Sequence, residues 1–241
     1  MKRVERRNLK HNDLADLATK SQQIVGEYKS SLTLVFIVIV VAGAAGLGYM
    51  LWKNGVETRA HTMLAAAMSV EDTPVGPVDP NAAQKGGARF ATAQEKEQAT
   101  IDKYKAAADQ YPSTDAGIFA RYHQATALVG LNRTADAAPV FQQVIDHDSK
   151  GIYGQMARFG LAESQARAGQ FDQAIATYKE LVEAKDSSLP LDGILMQLGR
   201  TYLYAGKNMD AQQTFNRVVN EFPQSQFGPE ARQQLDTLKK S

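Results

Sequence analysis

Cysteine is absent from the 241 residues, which excludes disulfides, thiolate zinc sites, thiol nucleophiles and lipid attachment through an N-terminal cysteine. Its absence does not assign a compartment, because a large core stands without disulfides in an oxidising space too. Histidine occurs at four places, His11, His61, His123 and His147, and no two have the three-to-five-residue spacing of a helical metal site. A charge excess is also lacking. Against 27 Lys and Arg stand 26 Asp and Glu, so the net charge of +1 argues against a nucleic-acid binder. No phosphate loop and no nucleophile elbow is present, and Gly86-Gly87 has no flanking strand. Asp146-His147-Asp148 is the densest ligand cluster, but neighbours on a helix point to different faces. Carboxylates such as Glu180 and Glu183 read as solvated helical faces. Catalytic, cofactor-binding and metal-binding residues are therefore not expected, and the chain is not expected to be an enzyme.

Charge is absent altogether from residues 30–52, and its distribution elsewhere is uneven. Residues 1–29 carry seven basic and four acidic side chains, a net +3, which leaves −2 for residues 53–241. The 21 uncharged residues 32–52 (LTLVFIVIVVAGAAGLGYMLW) make a helix of roughly 30 Å, the thickness of a bilayer core. Only a helix satisfies the backbone of a lone spanning segment in lipid. Tyr49 and Trp52 fall at its end, where headgroups favour amphipathic rings. The run is too long for the apolar region of a cleaved signal peptide. The expectation is an uncleaved signal anchor over 30–53. Seven basic residues precede it and only Lys53 and Arg59 follow closely, so residues 1–29 are expected in the cytoplasm and the body across the membrane, in a bacterium the periplasm. The small residues Ala42 and Gly46, and Ala44 and Gly48, lie one turn apart and would let a partner's transmembrane helix approach. The head, 1–29, reads as a short amphipathic helix suited to lipid or to a cytoplasmic partner.

Residues 54–91 read as an outward helix over 56–68 and a linker with three prolines and three glycines in 70–90. Thr92 to Glu95 has the form of a capping box opening a helix. Beyond it, over 92–241, a repeat dominates. Tyr104, Phe141, Tyr178 and Phe215 are spaced by 37 residues, and Ala137, Ala174 and Ala211 stand four before the last three. A fixed helical period of this size predicts an all-α solenoid of helix pairs behind the transmembrane helix. An incomplete first repeat could pair 56–68 with the helix starting near Thr92, and Pro229 onward (PEARQQLDTLKK) reads as a capping helix.

The unit Leu198-Gly199-x-x-Tyr202-x-x-x-Gly206, with Ala211, Phe215 and Pro223, resembles the tetratricopeptide repeat. The middle unit keeps Leu161-Ala162, Gly169, Ala174 and Tyr178, and the first keeps Ala125, Leu128, Ala137 and Phe141, with Asn132 at the turn. The resemblance implies that the glycine ends helix A and that the small residue after Leu lets the paired helices touch. The family's period is 34, so the extra residues are expected near 149–151 and 187–190. The large residue expected early in helix A is weakly represented, by Arg121, Arg158 and Leu195.

The same resemblance implies a protein-binding groove lined by first helices. Its positions are Tyr122, His123 and Thr126, then Phe159, Glu163 and Arg167, then Met196, Arg200, Leu203 and Tyr204. A carboxylate clamp of Lys and Asn, used by one subfamily, has no counterpart, because Tyr122, Thr126, Phe159 and Glu163 stand there. Basic head, single anchor and repeat domain together resemble the YfgM-like family of ancillary translocon subunits linked to periplasmic chaperones. That implies a scaffold at the secretory translocon of the bacterial inner membrane. Phe215, Pro223, Ser225 and Glu230-Ala231 also resemble periplasmic cell-division and envelope scaffolds, which is the alternative.

Overall fold

The computed structural model describes residues 29–76, 89–184 and 186–240; the expected head over 1–28 lies outside them. Among the described residues the secondary structure is helical apart from one isolated bridge between Val75 and Phe90. The chain divides into two compact units between Gly55 and Val56.

The first helix, α1 (Lys29–Glu71), crosses that division. From Leu34 to Trp52 its large apolar side chains are all more than half exposed, and they lie on every face of the helix. Water does not tolerate such a surface. This helix is long and apolar enough to cross a membrane. A Cβ added to Gly43, Gly46 or Gly48 would meet nothing within 4 Å, so the small-residue face is open.

In the second unit the same helix changes character. Ala60, Leu64 and Ala67, at helical spacing, are buried against Tyr104, Ala107 and Ala108 of α2 (Ala93–Gln110) and against Ala116 and Ala120 of α3 (Asp115–Gly130). Glu57 accepts from the Ala116 amide at 3.3 Å, and Glu71 accepts from the buried Tyr104 hydroxyl. Thr92 opens α2 by accepting from the Glu95 amide at 3.1 Å. Residues 77–88 lie outside the described residues. On either side of them Gly76 donates to the Phe90 carbonyl at 3.1 Å and Phe90 to that of Pro74 at 3.3 Å.

Three helix pairs follow: α3 with α4 (Thr134–His147), α5 (Ile152–Arg167) with α6 (Phe171–Glu183), and α7 (Leu191–Tyr204) with α8 (Asn208–Glu221). Helix α9 (Gly228–Leu238) packs on α8 and closes the stack through Ala231 and Leu235. Each first helix ends on a left-handed residue, Asn132 (φ 58°), Gly169 (φ 75°) or Gly206 (φ 71°). The turns are the same in hydrogen bonding. The amides of Arg133, Gln170 and Lys207 reach the carbonyls of Leu128, Gln165 and Tyr202, each at 2.9 Å, as in a Schellman cap. A left-handed residue every 37 positions thus sets the register of the pairs.

The aromatics of the second helices, Tyr104, Phe141, Tyr178 and Phe215, are at most 1% exposed. Small residues make room for them: a Cβ on Gly199 would fall 2.5 Å from the Phe215 ring, and one on Gly160 would fall 2.4 Å from that of Phe141. Leu195 fills the early helix A position. At the equivalent places a guanidinium does different work, Arg121 pairing with Asp109 of α2 at 2.6 Å and Arg158 donating to the Ser149 carbonyl at 2.6 Å.

Thr100 occupies the repeat position held elsewhere by the fully buried Ala137, Ala174 and Ala211. Its hydroxyl is buried without a hydrogen-bond partner. An unpaired buried hydroxyl costs about 1–3 kcal/mol, and alanine is the better helix former. Against this stands the loss of one buried methyl, about 1 kcal/mol. Thr100→Ala is expected to raise stability by roughly 1 kcal/mol, read as a higher denaturant midpoint by circular dichroism.

Candidate protein-binding groove

First helices α3, α5 and α7 lie side by side, since α5 contacts both of the others. Two hollows open along them. One, about 450 Å³, is lined by Tyr122, Met156, Phe159 and Ile194, with Leu189, Pro190 and Phe227 from the connections around them. The other, about 530 Å³, is lined by Glu163, Arg167, Arg200 and Tyr204, with Phe171 and Tyr178 behind. Phe159 and Glu163 are one turn apart on α5, so the hollows adjoin.

Six of the ten expected groove residues therefore line these hollows. Phe159 also packs edge-on against Tyr178, with centroids 5.7 Å apart. Tyr204 is 71% exposed and stacks on Phe171 at 6.2 Å. Arg167 pairs with Glu163 at 2.7 Å. Arg200 is a clamp: Nε donates to Glu230 at 2.9 Å and Nη2 to both carboxylate oxygens at 2.5 Å, tying α7 to α9.

The other four are placed differently. Met196 is fully buried with Leu195, Ala211 and Phe215, which corrects its expected place on the groove, because its side chain fills the gap between α7 and α8. Leu203 leans on the same cluster. Thr126 donates back to the His123 carbonyl at 3.0 Å. His123 lies among three rings, with centroids 4.1 Å from Phe119, 5.3 Å from Tyr104 and 5.6 Å from Tyr122. Sequence reasoning missed Met156, Leu189, Pro190 and Phe227. The apolar character of 189–190 just before α7 is the one signal that pointed there.

Burial pushes the His123 pKa below its ordinary 6.5, and the Glu71 carboxylate opposes this only in part. The folded state thus disfavours the imidazolium. Below pH 6.5 the unfolded chain binds a proton that the folded chain resists, so stability falls as the pH drops from 6.5 toward the lower folded value. The unfolding midpoint is expected to decline between pH 7 and pH 5, with a shallower decline in His123→Gln.

Burial likewise raises the Tyr122 hydroxyl, with Glu163 and Tyr153 adding to it. Among the described residues no group of three His, Asp or Glu is placed to hold a metal. Asp146 accepts from Gln142 at 2.9 Å, and Asp148 from the Gly154 amide at 3.1 Å. Both carboxylates are engaged in local helix contacts.

No curated protein matches this sequence. Solved structures of similar fold include YrrB, a repeat protein described as having an unusual peptide-binding site, at 20% identity and TM-score 0.47, covering 58% of this chain and 68% of that one. A putative kinesin light chain with nearly identical repeats from Podosopora anserina is 12% identical, with TM-score 0.55 and coverage of 76% and 87%. A repeat protein from Parabacteroides merdae is 15% identical, with TM-score 0.51 and coverage of 61% and 55%. The likenesses with TM-scores of 0.55 and 0.51 establish the fold. The sequence profile of the tetratricopeptide repeat-like domain matches residues 26–240, and a match over that much of the chain makes this protein a member of that family.

Proposed function

We propose that this protein is a membrane-anchored, non-catalytic scaffold of the bacterial inner membrane. Residues 1–29 lie in the cytoplasm, 30–53 span the bilayer, and the repeat domain binds proteins in the periplasm. Its task is that of an ancillary factor at the secretory translocon or with periplasmic chaperones. One observation carries this reading: a helix apolar on every face from Leu34 to Trp52 continues into residues buried in the repeat core. Tethering holds the α3–α5–α7 groove near emerging chains and raises effective concentration without high intrinsic affinity.

The residues that resemble division-associated scaffolds do structural work in this chain. The Ser225 hydroxyl donates to Asp192 at 2.6 Å, Glu230 clamps Arg200, and Ala231 is buried under α8. They give the envelope-scaffold alternative no independent support.

Photocrosslinkers at Phe159 and Tyr204 in cells test the proposal, with adducts identified by mass. Translocon subunits or periplasmic chaperones are expected. Adducts only with cytoplasmic proteins, or only with septal proteins, reject it. Arg200→Glu is a poor probe because it sets two carboxylates against each other and loosens α9.

A further inference from the structure

The connection between α6 and α7, residues 184–190, is three residues longer than its counterpart 148–151 between α4 and α5. Gln155 of α5 fixes the added length, its Oε1 accepting from the Ser188 amide at 2.8 Å. The Leu189 amide donates to Ser187 Oγ at 3.2 Å. This presents Leu189 and Pro190 as one wall of the 450 Å³ hollow. Phe227 forms the facing wall. Its amide donates to Ser225 Oγ at 3.1 Å, and that hydroxyl is held by Asp192. Gly193 lines the hollow too, and a Cβ there would just touch the Phe227 ring at 3.4 Å. Leu189, Pro190, Phe227 and the missing side chain at Gly193 thus frame a largely apolar cleft.

Among the described residues the charges around it differ: Glu163 and Arg200 stand in ion pairs, whereas Asp192 is held by neutral donors. Asp192 accepts from Ser225 and from the Gly193 amide at 2.9 Å. One turn along α5, Glu163 pairs with Arg167, and along α7 Arg200 is held by Glu230. An acidic ligand residue entering this cleft would lose its hydration and meet the Asp192 carboxylate, whose hydroxyl and amide partners leave its charge in place. An uncharged one loses little. The rings of Tyr122, Phe159 and Phe227 and the Met156 sulfur favour an aromatic guest through edge-to-face and sulfur contacts.

We propose that the cleft between α5, α7 and the connection before α9 captures an aromatic side chain from a partner's polypeptide segment that lacks acidic residues. This rests on the groove reading above and names the chemistry of its ligand.

Fluorescence anisotropy with the full chain in nanodiscs tests it, using a nine-residue Gln/Ser/Ala peptide with one central Phe. Replacing that Phe by Ala is expected to weaken binding about tenfold or more. Exchanging the flanking Gln for Glu is expected to weaken it about tenfold as well. Gly193→Leu fills the cleft and removes a helical glycine, so its melting temperature should hold or rise while peptide affinity falls at least about tenfold. Equal binding of the Phe and Ala peptides, or tighter binding of the Glu-flanked one, overturns the proposal. If the Glu-flanked peptide is preferred and Gly193→Leu still blocks it, the ligand chemistry is wrong and the groove stands. If Gly193→Leu binds the Phe peptide and crosslinks from Phe159 like the unaltered protein, the groove reading falls as well.

Discussion

Ile37→Lys combined with Val40→Lys is expected to release the protein from the membrane into the carbonate-soluble fraction. The segment 32–52 holds eleven Leu, Ile, Val and Phe residues. At about 0.3–0.6 kcal/mol each near the helix centre, they favour insertion by roughly 5 kcal/mol. Two lysines near the middle each cost about 3 kcal/mol, which removes that margin and reverses its sign. Lysines can extend toward the headgroups, but Ile37 and Val40 lie five or more residues inside either end of the segment, too deep for both to do so. Retention of the double variant in carbonate-washed membranes would contradict the anchor. The unaltered protein should stay with the membrane throughout.

Phe215→Ala is expected to cost about 3–5 kcal/mol, a large part of the roughly 5–15 kcal/mol that holds a domain together. The ring is fully buried and lies against Gly199, which has no side chain to move into the void. In a stack where each helix touches mainly its neighbours, the damage stays local. Amides of α8 and α9 should lose hydrogen-exchange protection while those of α2 and α3 keep theirs. Gly199→Ala attacks the same contact from the other side, by overpacking, and is expected to cost about 1–3 kcal/mol. A uniform loss of protection along the whole domain would show that the stack melts as one unit.

Much of the architecture was legible in the chain because it depends on local chemistry repeated at a fixed interval. The 37-residue spacing of Tyr104, Phe141, Tyr178 and Phe215 marked the buried side of the second helices, and each proved nearly inaccessible. Gly169 and Gly206, with Asn132 between the first pair, marked where first helices stop, and all three have positive φ. The apolar run over 32–52 announced itself by length and lack of charge. The groove was less readable. Met196 and Tyr204 both sit on α7 with similar apolar character, yet one is fully buried and the other 71% exposed. Which side of α7 meets α8 is a matter of packing angle. Arg200 looked like a ligand-binding residue, and its partner Glu230, thirty positions on, was invisible to any local pattern.

The sequence by itself determined the helix pairs, their register and the apolar segment that precedes them, since these follow from periodicity, turn chemistry and transfer of side chains out of water. The tertiary structure alone decided where the open surface lies. A cleft is made by residues from α3, α5, α7 and two connections that converge only after the stack has formed, and whether its charges are free or already paired depends on contacts between residues far apart in the chain.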